Sequence, residues 1–525
     1  MLNAKPSIPV TTRDATRDAV GRVYRAAAIG LLLLSGCTVG PRYKAPQIVR
    51  PPAYKESAPP AYSGAVPGAW QPAQPQDSAL KGKWWEIFNE PELNALEDQL
   101  NINNQNIAQY FQNFMAARAQ VREARASYFP TVTADPSYGR TRTPGTVSGA
   151  AVSTPAAGGA GTVVAPTKQA FTTTELALPF DVSWEPDLWG RVRNTVREYQ
   201  YAAQVSAADL ENERLTEQAN LAVYYFQLRG QDALQDLYNR TVEADRKALE
   251  LTRVLFETGI DNDEAVAQAE VTLRGAEAAG TGIAENRALY EHAIATLIGK
   301  PASEFSMPVK MLATPVPAIP VGIPSQLLQR RPDIAAAERT MAQANAIIGV
   351  EKAAYYPTLS LTGSGGLESS AISKLFSAPA LFWSLGASAS ETIFDAGLRK
   401  ATVAQYTATY NADVAAYKQT VLTAFQQVED YVASLRVLSQ QISRQQAAVE
   451  AAQRYLDIAT ARYQTGLDPY LNVITAENAL LSDQQTEVTL RMNEMTAAVQ
   501  LVQALGGGWQ AGQLPAPAQV ATQQP

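Results

Sequence analysis

The chain has 525 residues, 46% of them hydrophobic, so it can fold, but it carries only one His and one Cys. Those counts take the commonest general base and metal ligand out of consideration and exclude an intramolecular disulfide. The formal charge of -7 argues against nucleic acid, whose phosphates need a basic face.

The amino terminus reads as an address. Arg22 and Arg25 precede an apolar run, Ala26–Leu34, followed by Leu34-Ser35-Gly36-Cys37. A basic region, a short apolar stretch and small residues at the cut describe a secretory signal over residues 1–36. The run falls short of the ~20 apolar residues of a membrane span. Leu-Ser-Gly-Cys resembles the bacterial lipobox, which implies cleavage before Cys37 and acylation (palmitate among the chains) of the new terminus. Thr38 follows, and the absence of Asp there implies transfer to the outer membrane. Nothing elsewhere looks like a transmembrane helix, so any crossing of a membrane has to be a closed β-barrel.

Residues 37–80 are rich in Pro, Ala and Gln and read as an extended tether. Ordered structure begins at Trp84-Trp85 with Phe88. Pro91-Glu92-Leu93 opens a helix that can run to Ser127. Four segments then read as strands: Thr131–Arg140, Glu175–Glu185, Thr358–Gly365 and Trp383–Ile393. In Glu175–Glu185, Leu176, Leu178, Phe180, Val182 and Trp184 alternate with smaller or polar residues. Each segment is about 10 residues long, the length of a tilted membrane strand. The alternation fits a barrel and equally a half-buried soluble sheet. Thr143–Lys168, rich in Gly, Ala, Ser, Thr and Pro, reads as an enlarged loop.

Two stretches without internal Pro, Gly190–Leu255 and Gly397–Gln464, predict helices of about 100 Å each. From Val414 to Tyr463 a single heptad frame is apolar at every a and d position except Gln445, the signature of a coiled-coil seam. The matching frame of the first stretch is patchier, interrupted by Arg214, Gln235 and Asp245. Each long helix ends at a Thr-Gly turn and reverses into a second helix, Asp263–Ile298 or Pro469–Leu505. Gly259 and Gly466 suit a left-handed helix end. Asp261 and Asp468 suit an N-cap or first turn. Residues 301–331 are Pro-rich and irregular, and residues 509–525 read as a disordered tail.

The chain also contains itself twice. Phe256-Glu-Thr-Gly-Ile-Asp261 returns as Tyr463-Gln-Thr-Gly-Leu-Asp468, 207 residues later, and the same offset links Gly190 to Gly397. The repeats span 81–300 and 332–508. Four strands cannot close a membrane barrel, since the smallest bacterial barrels have eight, and open edges are not tolerated in lipid. The chain is therefore expected to oligomerise. Two copies would make a plugged eight-strand barrel, three a wider twelve-strand one, continued by the long helices into a tube.

The lipobox with its continuation Thr38-Val-Gly-Pro-Arg-Tyr-Lys-Ala-Pro46, Trp84-Trp85, Arg330-Arg-Pro-Asp333-Ile, the paired Tyr128-Phe-Pro130 and Tyr355-Tyr-Pro357, Phe394-Asp-Ala-Gly397 and Arg462-Tyr-Gln-Thr-Gly466 together resemble the outer membrane factor family. The likeness is to its NodT/OprM-like lipoprotein branch, relatives of TolC. The resemblance implies a mixed α and β membrane protein: a homotrimer with a twelve-strand outer membrane β-barrel, four strands per chain, continued by an α-helical periplasmic barrel. It implies a passive multidrug export duct served by a periplasmic membrane-fusion adaptor and an inner-membrane pump of RND type. Thr258, Gly259, Asp261, Thr465, Gly466 and Asp468 become adaptor-docking tips. Asp263, Glu264, Arg462 and Glu477 become candidates for a periplasmic gate. Alternatives are a duct for type I protein secretion and a periplasmic adaptor, the latter disfavoured by two hairpins and by strands. Enzymatic activity, cofactors and metals are not expected: His292 sits in a helical pattern, and Gly363-Ser-Gly-Gly366 opens no helix, so it is no phosphate loop.

Overall fold

The computed structural model describes residues 38–46, 48, 51, 54–56, 82–144, 150–155, 162–167, 170–311, 315–319, 321 and 324–522. The signal segment and Cys37 lie outside them. In chain order the elements are α1 (Pro91–Asn103), α2 (Gln105–Ala126), β1 (Thr131–Ala134), β2 (Ser137–Thr143), β3 (Ala150–Pro155), β4 (Thr162–Thr167), β5 (Phe171–Trp184), α3 (Arg191–Glu257) and α4 (Asp263–Leu297). They continue with α5 (Pro324–Arg330), α6 (Pro332–Ala353), β6 (Thr358–Ser369), α7 (Ile372–Leu375), β7 (Leu381–Ser390), α8 (Leu398–Gln464), α9 (Tyr470–Ala504) and α10 (Pro517–Thr522). Contacts divide the chain into a strand unit (1–43, 120–199, 344–409) and a helical unit (44–119, 200–343, 410–525).

In the strand unit, β1 and β2 both pair with β5, then come β6 and β7, all antiparallel. The first expected strand is interrupted at Asp135-Pro136, where proline has no N–H to give the ladder. The register nonetheless runs straight through the break: Thr131 faces Ser183 and Ser137 faces Ala177. β1 and β2 are one stave, and the sheet is four staves wide. Two other expected strands run longer than their patterns, β6 to Ser369 and β5 from Phe171, while β7 is shifted, starting at Leu381 and ending at Ser390 instead of Ile393. The expected loop Thr143–Lys168 contains a hairpin, β3–β4.

Residues opposite one another across a sheet share a face. One face therefore stacks Val132, Val182, Gly363 and Leu385, and beside them Ala134, Phe180, Gly365 and Trp383. The other stacks Thr133, Asp181, Ser364 and Ser384. A half-buried soluble sheet would cover its apolar face, yet Leu385 is 81% and Trp383 74% exposed. Below the strands, Trp184 Nε1 donates to Tyr128 O at 3.1 Å and Trp189 Nε1 to Pro357 O at 2.7 Å, so each Tyr-aromatic-Pro motif receives a tryptophan. The Asp395 carboxylate accepts from Gly397 N and the Arg399 guanidinium, which together hold its pKa below the usual range.

The described residues after Cys37 are held against the rest of the chain. Val39 donates to Trp189 O at 3.0 Å and accepts from Asn194 Nδ2 at 3.0 Å, and Pro41 O accepts from Asn345 Nδ2. Gly40 has φ +129, and a Cβ there would lie 2.7 Å from Gly349 Cα. In the helical unit, Lys55 N and Glu56 N donate to the Glu429 carboxylate at 2.6 and 2.8 Å, Glu56 pairs with Arg436, and Tyr54 is buried.

The helix expected over Pro91–Ser127 is divided at Asn104, whose ψ is 126. Its side chain explains the break: Oδ1 accepts from Ile107 N at 2.9 Å, capping α2, while Nδ2 reaches Leu297 O at 2.9 Å. Trp84, Phe88, Tyr225 and Phe226 form an aromatic core. Buried Arg229 binds Glu92 (2.7 Å), Asp232 (2.9 Å) and Pro308 O (2.6 Å), and Arg287 binds Asp232 and Met307 O. These charges fasten Met307 and Pro308 of the inter-repeat segment to the helices; that segment, expected to be irregular, ends in α5. The tail expected to be disordered is also held. Trp509 packs with Ala208 and Ala335, Pro515 O accepts from Gln204 at 2.8 Å, and Val520 is buried beside Arg118.

Candidate functional site: the hairpin tips

The helices α3 and α8 are both 67 residues long, and α4 and α9 both 35. Both reversals use one backbone device. Ile260 N donates to Leu255 O (2.9 Å) and Gly259 N to Phe256 O (3.0 Å); Leu467 N donates to Arg462 O (2.9 Å) and Gly466 N to Tyr463 O (2.8 Å). This is the Schellman pattern, which needs a left-handed residue; Gly259 and Gly466 have φ +76 and +72. Thr258 and Thr465 each turn their hydroxyls back on two carbonyls of the last turn. Ile260 and Leu467 stand exposed at the two ends.

The aspartates do something other than cap. Asn262 is the N-cap of α4, its side chain accepting from Ala265 N at 2.9 Å, and Pro469 precedes α9 without a side-chain cap. Asp261 instead accepts from the Tyr463 hydroxyl at 2.6 Å, a bond from one hairpin to the other. Asp468 is gripped by Arg462 at 2.6 and 3.0 Å, which holds its carboxyl below the usual range. Tyr463 lies 5.1 Å from Tyr470, and burial first, then the Asp261 bond, pushes its hydroxyl up to about 12. Beneath them, Leu249, Ala265, Ala269 and Leu273 of the first hairpin pack with Ala459, Val473 and Ala476 of the second. That core joins the tips.

The heptad frame of α8 is buried or half-buried at every a and d position from Val414 to Tyr463. Its one polar member, Gln445, is satisfied by Asp483 Oδ1 at 2.9 Å. In α3 the frame fails at its end, where Phe256 is exposed and Thr252 is buried instead. The interrupting Asp245 is 2% exposed and its Oδ2 has no hydrogen-bond partner.

Within one chain the four gate candidates are not brought together. Asp263 and Glu264 are exposed on the first turn of α4, Arg462 is occupied by Asp468, and Glu477 lies two turns down α9. Glu477 instead faces Asp245. Burial, then the Asp245 charge, raises it to about 7, and burial raises Asp245 to about 6. The Tyr463–Asp261 bond and buried Asp245 escape sequence reasoning; the one signal was an aspartate in an apolar seam.

A two-faced sheet and two long helical hairpins in one chain are the parts of an outer membrane channel. The family model for outer membrane efflux proteins matches residues 96–300 and 323–507, the two hairpin-bearing halves, and the chain belongs to that family. It is 32% identical over 501 residues to the antibiotic efflux pump outer membrane protein ArpC of Pseudomonas putida, covering 94% of this chain and 98% of ArpC. It is 31% identical, with the same coverage, to the toluene efflux pump outer membrane protein TtgC of Pseudomonas putida. The solved outer-membrane channel OprN superposes with a TM-score of 0.78 at 28% identity, covering 90% of this chain and 100% of that one.

Proposed function

We propose that this chain is the passive exit duct of a tripartite efflux system, taking small molecules from an inner-membrane pump of RND type through a periplasmic adaptor. Three copies pool twelve staves into one barrel. The observation that carries this is the four-stave sheet with one apolar face, one polar face, an exposed β7 and, among the described residues, unpaired edges at β1/β2 and β7. Such edges have to pair in lipid, and only other copies supply partners. The helices α3, α4, α8 and α9 form the periplasmic tube, and their tips meet the adaptor at Thr258, Gly259, Asp261, Thr465, Gly466 and Asp468. Asp263, Glu264 and Arg462 approach their copies only in the oligomer, where like charges form rings. Acylation at Cys37 anchors the chain in the outer membrane. The relatives' names favour efflux over protein secretion.

The test is a deletion strain complemented with the gene and exposed to a panel of dyes and antibiotics, alongside chemical cross-linking of the purified protein. Restored export together with a three-copy ladder supports the duct. A two-copy ladder, or unchanged susceptibility on deletion, overturns it.

A further inference from the structure

Below the tips, α3, α4 and α9 enclose a cleft of about 670 Å³, within the range of small-molecule sites. Its floor is acidic. Asp245 is all but fully buried with Oδ2 unpartnered, and Glu477 Oε2 is likewise buried without a partner. Glu264 joins them in the lining, which contains no Lys or Arg. Of the cations close by in the sequence, Arg246 pairs with Glu243 and Arg274 with Glu277, while Lys247 is exposed and outside the lining. Tyr470, beside both acids, and Tyr238, also in the lining, bring no positive charge. The lining also holds apolar side chains, Ile474 with Val271 and Leu471, the last two largely exposed.

A buried carboxylate oxygen without a hydrogen bond is costly, and a counter-charge relieves that cost. Among the described residues no group of three or more His, Cys, Asp or Glu is placed to hold a metal ion. A hard cation needs six or more oxygens around it. A large organic cation needs less: one or two carboxylates for its nitrogen and an apolar wall for its body. We propose that this cleft is a binding site for an amphipathic organic monocation, with Asp245 and Glu477 receiving the ammonium and Val271, Leu471 and Ile474 receiving the hydrocarbon. The inference goes beyond the duct reading, since passage through a lumen requires no bound state. All the residues of the cleft belong to one chain.

Protons compete for the same oxygens. Since burial places the two acids at about 6 and about 7, the site is ready for a cation at pH 8 and largely protonated at pH 5.5. The probe is phenethylammonium, titrated calorimetrically into the full-length protein in lipid nanodiscs, with empty nanodiscs subtracted and neutral phenethyl alcohol as comparator. Saturable binding of the amine is expected at pH 8, weakened about tenfold or more at pH 5.5, and not matched by the alcohol. Asp245→Asn with Glu477→Gln is expected to abolish it, while Glu270→Gln, on the exposed counterpart of Glu477 in the first hairpin, leaves it intact. A measurement on the unaltered protein stands beside the variants: at pH 6.5, buffers of different ionisation enthalpy should reveal proton release on binding. No saturable binding, equal binding of the alcohol, no proton release, or unchanged binding in the double variant overturns the proposal.

Discussion

The two tips share a backbone and differ in their side chains. Each closes with the same Schellman turn, the same double Thr bond and a glycine of nearly equal φ. Around that frame the second tip is self-sufficient, with Arg462 clamped on Asp468. The first has Leu255 and an exposed Phe256 at the corresponding positions, and its Asp261 is left to bind across to Tyr463. Deeper down the inequality reverses its sign. The first hairpin buries Asp245 where the second buries Ala452. The turn is thus a folding requirement that both copies meet identically, while the side chains have been free to take separate tasks.

Transplanting residues between the copies breaks or sharpens this comparison. Tyr463→Phe gives the second tip the ring of the first and removes its bond to Asp261. A hydrogen bond to a charged acceptor contributes about 1.5–3 kcal/mol, so the equilibrium between joined and separated tips should move about 10- to 100-fold. Single-channel conductance in planar bilayers would register it; an unchanged open fraction would mean that the bond is not a latch. Asp245→Ala gives the first hairpin the residue of the second. A carboxyl raised from 3.8 to about 6 disfavours the folded state as pH rises, because the folded chain holds its proton longer than the unfolded one. The penalty is absent below about pH 4 and complete above about pH 7, so the variant should gain up to ~3 kcal/mol at pH 8 and little at pH 4. Thermal unfolding at both values checks the sign, and equal shifts would contradict buried ionisation.

Gly466→Asp adds a side chain and a charge in a left-handed position at a strain of roughly 1–2 kcal/mol. Nothing crowds that glycine, so oligomer assembly should persist while export of the dye panel falls. Normal export would argue against docking at the tip. The smallest effect is expected from Arg462→Leu, which copies Leu255. Its ion pair is solvent-facing, and such pairs contribute little to stability, so the melting temperature should barely move even if tip conductance does.

Much of this was written in the residue pattern. Thr-Gly placed both reversals, the Pro-free runs placed both long helices, and the heptad frame of α8 located its buried seam, because these signals are local and periodic. What escaped reading depends on partners distant in the chain. Asn104 breaks a helix because Leu297 O accepts its amide. Asp261 serves Tyr463 rather than its own helix because the neighbouring Asn262 wins the cap. The tail looked disordered by composition, and composition does not show that Trp509 finds Ala208 and Ala335.

The pinning of Val39 and Gly40 has a consequence for membrane geometry. If Cys37 carries acyl chains, only Thr38 separates the anchored residue from backbone bonded to Trp189 and Asn194. Such an anchor has almost no leash. It would act as a depth gauge, setting the level at which the strands sit against the inner leaflet instead of merely keeping the protein from drifting away.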